Sequence, residues 1–192
     1  DVKTVGEIHA DPVRGITQIA QPKGPILATV PITNPTSTAI FKTLICMKTR
    51  NPVIFSAHRG ARKCVKETVR ILAEAADAAG APAHAIQAMT RGQTDHLEQV
   101  MKHPALAMIL ATGTSSIVEL AQHSGTPTLG VGPGHVPVYV HATADLPLAA
   151  RSIVHSKTFD NGTVCASEQA LVVERDVAER LQPLLEERGA YL

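Results

Sequence analysis

Thr158 to Gln169 reads TFDNGTVCASEQ, and Cys165 stands in the middle of it. Structural cysteines usually keep apolar company. This one has hydroxyls, amides and a glutamate around it, with Gly162 close by. A thiolate nucleophile needs an accessible polar site that stabilises its charge. The stretch suits such a nucleophile, and it also suits a polar loop with a stray thiol. Cys46, beside Ile45, and Cys64, beside Val65, read as packing or surface thiols. His135 or His155 would be the base of a Cys/His pair, but no local signature supports that arrangement. No Cys-x-x-Cys occurs and the nine histidines are scattered, so no metal site is expected.

Three further stretches present polar groups between apolar segments. Thr29 to Ser37 (TVPITNPTS) is stiffened by Pro31 and Pro35. An amide fixed there, that of Asn34, suits an oxyanion donor, and it equally suits a turn that caps the next helix. Ala111 to Ser116 (ATGTSS) puts backbone N–H groups and hydroxyls at a helix start, which favours an anion such as a pyrophosphate. It lacks the G-x-G-x-x-G fingerprint and reads equally as N-capping. Gly130 to His135 (GVGPGH) holds Gly130, Gly132 and Gly134. Such a backbone approaches a ligand closely, or makes a tight turn between two strands.

The elements that must carry these loops alternate. Strand-like runs are GITQIAQ, GPILATV, NPVIFSA, LAMILAT, TPTLGVG, VPVYVH and ALVVE. A helix is expected over 36–50, with Thr36 or Ser37 as cap and Ile40, Leu44 and Met47 on its apolar face. Another is expected over 61–79, with Val65, Val69, Leu72, Ala73 and Ala76 inward and Gly80 closing it. Shorter helices are expected over 94–102 and 115–125, and one capped by Asp145. A last helix starts at Asp176, with Pro183 expected to kink or split it. Continuous Val, Ile, Leu and Met strands between helices predict an α/β fold with a parallel sheet covered on both faces. Ligands of such sheets bind beyond the carboxyl ends of the strands.

Composition narrows the partners. The chain has 192 residues, 44% hydrophobic, enough for one domain with a core or for part of a larger one. Only 3% are aromatic, so the core falls to Ala, Val, Ile and Leu. The net charge of +1 and the absence of a Lys/Arg run argue against nucleic acid and anionic membranes. No apolar stretch approaches the roughly 18 residues that span a bilayer. An odd, sparse set of three cysteines points to a reducing compartment. The chain opens without Met and ends on ERGAYL, which reads as a segment of a longer protein.

Taken in order, VPITNPTSTAIFKTL, ILATGTSSIVELA, LGVGPGHVPVYV and SKTFDNGTVCASEQALVVE resemble the CoA-acylating aldehyde dehydrogenases. That group includes the aldehyde dehydrogenase half of bifunctional aldehyde-alcohol dehydrogenases. The resemblance implies an aldehyde dehydrogenase fold. Residues 1–21 would be an oligomerisation-type β-hairpin, 22–133 part of a Rossmann-like NAD(P)-binding domain, and 134–192 the N-terminal part of the catalytic domain. It implies Cys165 as nucleophile, with Asn34 and the Cys165 backbone N–H holding the oxyanion. It also implies cofactor contacts from Thr29, Val30, Pro31, Ile32, Thr33, Asn34, Ser56, His58, Gly113, Thr114 and Gly132. The cofactor would be NAD or NADP, with coenzyme A as co-substrate and a short aldehyde and acyl-CoA as partners. A cytoplasmic homo-oligomer, free or inside a bacterial microcompartment, is implied as well.

Two departures from the hydrolytic relatives bear on the acceptor. Those enzymes carry an E-L-G-G-K glutamate that activates water, and Gly130 stands at or near its place here. Without a positioned base, water attack is slow, whereas a thiol is the more acidic and more nucleophilic acceptor. The run SAHRGAR, with Ala57, His58, Arg59 and Arg62, replaces the usual ribose-binding Lys and Glu. Its arginines read as phosphate contacts or as ordinary surface charge. The alternatives are a hydrolytic aldehyde dehydrogenase making free acid, or a non-catalytic nucleotide-binding or assembly fragment. The segment by itself is expected to be inactive.

Overall fold

The computed structural model describes residues 2–89 and 94–191; Asp1 and Leu192, at the ends of the expected hairpin and catalytic segments, lie outside the described residues. The chain forms two compact units, Asp1–Gly132 and Pro133–Leu192.

The first unit opens with a hairpin of β1 (Gly6–Asp11) and antiparallel β2 (Ile16–Ala20), with a register shift between Glu7 and His9. Asp11 Oδ1 accepts from the N–H groups of Val13 and Arg14, which shapes the turn. Five parallel strands follow: β3 (Ile26–Val30), β4 (Val53–Ala57), β5 (Ile86–Ala88), β6 (Met108–Thr112) and β7 (Thr128–Val131). Their order is β5-β4-β3-β6-β7. The chain therefore builds outward from β3 in one direction and then, from β6, in the other. The connecting helices are α1 (Pro35–Lys48), α2 (Arg62–Ala78), α3 (Thr94–Met101) and α4 (Ser115–Gln122).

All five residues of β3 are buried, as a continuous apolar run in a doubly covered sheet requires. Alternation divides it between two cores. Ile26, Ala28 and Val30 join Phe55, Val65 and Val69, while Leu27 joins Ile109, Met101 and Ala121.

Several expectations need correction. The inward face of α1 is not the one its apolar spacing suggests. Ile40 and Leu44 are exposed, and the buried residues are Thr38, Ala39, Lys42, Thr43 and Cys46. Small and hydrogen-bonding side chains fit close against strand ends whose carbonyls need donors. Asn34, not Thr36 or Ser37, is the N-cap residue, because Pro35 already holds a helical φ at the first turn. β5 is a strand that the sequence does not announce; it is only three residues long.

The second unit pairs β8 (Pro137–Val140) with β9 (Ala170–Val173) in parallel, together with α5 (Leu146–Thr158) and α6 (Arg175–Glu186). Asp145 caps α5 as expected, its Oδ1 accepting from Leu148 N–H at 3.0 Å. The core is Val140, Leu146, Ala150, Val177, Leu181 and Leu185. β7 and β8 belong to different sheets, so GVGPGH is not a hairpin turn. α6 starts one residue before Asp176 and is not split at Pro183. Buried Leu181 and Leu185 anchor the helix on either side of it, and both Pro183 and Glu179, whose carbonyl loses its partner, are exposed.

Candidate active site

The parallel strands of the first unit end at Val30, Ala57, Ala88, Thr112 and Val131, and these ends share one edge of the sheet. The reversal between β3 and β6 places a topological switch point there. Main-chain pairing of β3 with β6 stops at Ala28 and Leu110. Beyond it the Thr29 hydroxyl takes over: it donates to Thr112 O at 3.0 Å and accepts from Thr112 N–H at 2.9 Å. The strands thus part into a crevice whose base is pinned by one side chain.

The expected cofactor residues of this unit gather on that edge. His58 N–H donates to Val30 O at 2.9 Å, and His58 Nδ1 accepts from Gly60 N–H at 3.1 Å. Ile32 lies over this turn: a Cβ on Gly60 would stand 2.5 Å from Ile32 Cδ1. Ser56 is buried at the end of β4. Gly113 N–H donates to Val131 O at 3.3 Å, and a Cβ on Gly132 would lie 4.0 Å from Gly113 O. Thr114 is the N-cap residue of α4, and its hydroxyl meets that of Ser116 at 2.9 Å. Pro31, Thr33 and Asn34 complete the loop after β3. Asn34 Oδ1 accepts from Thr33 Oγ1 at 3.0 Å, which leaves the amide N–H groups as the end that can donate. Helix N-terminus, glycines without Cβ and hydroxyls together suit a diphosphate.

Lys42 is a residue that sequence reading missed. It is 4% exposed, and its Nζ donates to Thr29 O at 2.7 Å and to Leu110 O at 2.8 Å. Its signal was the stripe Thr38, Ala39, Lys42, Thr43, Cys46, small or polar at helical spacing. Burial lowers its pKa to about 8, while Cys46 works weakly in the other direction. Burial likewise pushes the Cys46 thiol up to about 11. A lysine whose folded pKa lies below its unfolded value of 10.5 weighs against folding at neutral pH, and this cost is relieved as pH rises from 8 toward 10.5. Between pH 8 and 9 the wild-type chain should therefore gain about 1 kcal/mol of stability relative to Lys42→Met. Urea unfolding of both at each pH measures this; parallel curves would contradict it.

Cys165 lies in the second unit and is exposed. α5 runs into a 3-10 turn, Phe159–Gly162, in which Asp160 (φ 49°), Asn161 (φ 53°) and Gly162 (φ 68°) are all left-handed. Such a run is costly outside glycine and marks a turn held by its surroundings. Thr163 fixes it: its N–H and Oγ1 both donate to Asp160 O, and Oγ1 also contacts Asp160 Oδ2 at 2.7 Å. After the cysteine, Ser167 is buried and its N–H donates to Val164 O at 3.0 Å. The Ser156 hydroxyl on α5, then the Glu168 backbone and nearby Lys157, hold the Glu168 carboxyl below the usual carboxylate range. The nucleophile candidate thus sits on a loop tied at both ends. No described hydrogen bond joins it to a histidine, and among the described residues no group of His, Cys, Asp or Glu is placed to hold a metal. No described helix is long and apolar enough to cross a membrane.

Gly130 lies within β7, where a Cβ would stand 2.5 Å from Val118 Cγ1. A side chain there requires the Val118 side chain to move aside.

The profile of the Aldehyde dehydrogenase family matches residues 3–191. Aldehyde-alcohol dehydrogenase 2 of Entamoeba histolytica is 47% identical over 189 residues, covering 98% of this chain and 22% of its own length. The chain therefore spans about a fifth of that relative. The crystal structure of an acetylating aldehyde dehydrogenase from Geobacillus thermoglucosidasius superposes with a TM-score of 0.90 at 48% identity, over 100% of this chain and 42% of that one. A Rhodopseudomonas palustris propionaldehyde dehydrogenase, solved with bound CoA and an acylated cysteine, gives a TM-score of 0.80 at 32% identity, over 89% of this chain and 39% of that one. With its parallel sheet and these relatives, the chain belongs to the aldehyde dehydrogenase family, in the branch that holds the acetylating enzymes.

Proposed function

We propose that this chain supplies the nucleotide crevice and the nucleophile of a CoA-acylating aldehyde dehydrogenase acting on a short aldehyde. In this reading residues 1–21 serve oligomerisation, 22–133 bind NAD or NADP, and 134–192 begin the catalytic domain of a cytoplasmic homo-oligomer. The Cys165 thiolate adds to the aldehyde carbonyl carbon, forming a C–S bond and an oxyanion. The Asn34 amide and the Cys165 backbone N–H stabilise that oxyanion. A nicotinamide nucleotide, when bound, would supply the hydride acceptor, and coenzyme A would supply the acceptor thiol. Loss of hydride turns the thiohemiacetal into a Cys165 thioester. Attack by the CoA thiolate forms acyl-CoA and returns Cys165 as thiolate. The edge from Thr29 to Asn34, with Ser56, His58, Gly113, Thr114 and Gly132, holds the nucleotide.

The observation that carries the choice of acceptor is Gly130. No carboxylate stands there to activate water, and the 2.5 Å approach of Val118 leaves no room for one without rearrangement. The relative solved with CoA and an acylated cysteine supports the same reading. The test is product analysis of the intact protein with a short aldehyde and NAD+. Sustained NADH and acyl-CoA formation should require CoA: without it about one NADH per Cys165 forms with the acyl-enzyme, and steady turnover should fall at least about tenfold. Free acid formed equally fast without CoA would make the enzyme hydrolytic, and no turnover under either condition would favour a non-catalytic nucleotide-binding module.

A further inference from the structure

Lys42 is buried on the side of α1 that faces the sheet. Its Nζ joins carbonyls of two adjacent strands, Thr29 on β3 and Leu110 on β6, just where those strands part. The strands then end in the loops that carry Pro31 to Asn34 and Gly113 to Thr114. At about 3.3 Å per residue along a strand, the ammonium lies roughly 6–10 Å beneath those loops. Among the described residues, no carboxylate acts on it. β3, β4 and β6 contain no ionisable side chain. On α1 the titratable group acting on it is Cys46, whose thiol stays uncharged near neutral pH. α2 turns Val65 and Val69 inward, its ionisable side chains from Lys63 to Asp77 are exposed, and Arg62 at its start is half-buried. Among the described residues its compensation comes from carbonyl dipoles, and a buried cation so held favours an anion placed above it.

We propose that Lys42 is the counter-charge of the crevice, an affinity-determining residue that favours a pyrophosphate-bearing nucleotide bound over the β3 and β6 carboxyl ends. This rests on reading the crevice as a nucleotide site. Its consequence is a coupling. An anion over Lys42 favours the protonated amine, so binding takes up a proton in the range where the free protein has begun to lose it. That range opens near pH 8.

Calorimetry of NAD+ binding to the intact protein, in buffers of different ionisation enthalpy, tests the coupling. A Cys165→Ala background confines the measurement to binding. Near pH 8.5 binding should take up about half a proton, and near pH 7 almost none. Affinity should fall on the order of tenfold from pH 7 to 9.5. Lys42→Met should bind about tenfold more weakly at pH 7 and show neither effect. Inorganic pyrophosphate should reproduce the pH dependence, because the diphosphate carries the charge. Nucleotide binding without proton uptake, or uptake that persists in Lys42→Met, overturns the role of Lys42 alone. Absence of nucleotide binding at every pH overturns the cofactor reading and this role with it. The wild-type pH series decides the matter even if the variant fails to fold.

Discussion

Cys165→Ala in the intact protein is expected to lower aldehyde-dependent NADH formation by about a thousandfold or more, with nucleotide binding retained. The thiol is the atom that bonds to substrate, and alanine offers nothing in its place. The loss should not come from unfolding. Cys165 is exposed, so the truncation opens no cavity, and stability should stay within about 0.5 kcal/mol of wild type. Rate and urea unfolding measured on the same preparation separate the two explanations. Turnover at the wild-type rate would remove Cys165 from the chemistry.

Gly162→Ala is expected to act on the same step through the backbone. Gly162 has φ +68°, and a Cβ on it would stand 3.1 Å from the main-chain oxygen of Lys157. The oxygen belongs to the end of α5 and cannot swing aside as a flexible side chain would. The substitution should cost about 1–3 kcal/mol. It also unsettles the left-handed run Asp160–Gly162 that leads into the nucleophile loop. A displacement of the thiol by about 1 Å should lower turnover roughly a hundredfold. Asn161→Gly is the control, because glycine accepts the left-handed φ of 53° without penalty. That variant should keep its stability and most of its activity. If Gly162→Ala were neutral in both measurements, the turn would have no part in placing Cys165.

Much of this organisation is legible in the residues. The apolar runs ILATV and MILAT give buried parallel strands because hydrophobic continuity is what a doubly covered sheet demands. Asp145 announces α5, since a side-chain oxygen three residues before an unpaired N–H has one evident use. Cys165 stood out because its polar neighbours are wrong for a packed thiol. What could not be read depends on tertiary neighbours. The inward face of α1 is polar because it meets strand carbonyls, and no periodicity of apolar residues reports that. β5 has three residues, too few for a pattern, and its partner β4 defines it. The role of the Thr29 hydroxyl appears only when β3 and β6 are seen to part.

The acyl-enzyme is the point at which the proposed mechanism meets a single atom. The direct measurement is peptide mass analysis of the intact protein quenched after a brief exposure to a short aldehyde and NAD+ without CoA. An acyl thioester on the peptide carrying Cys165, discharged to acyl-CoA when CoA is added, is the predicted result. An unmodified Cys165 peptide accompanied by NADH and free acid would contradict it.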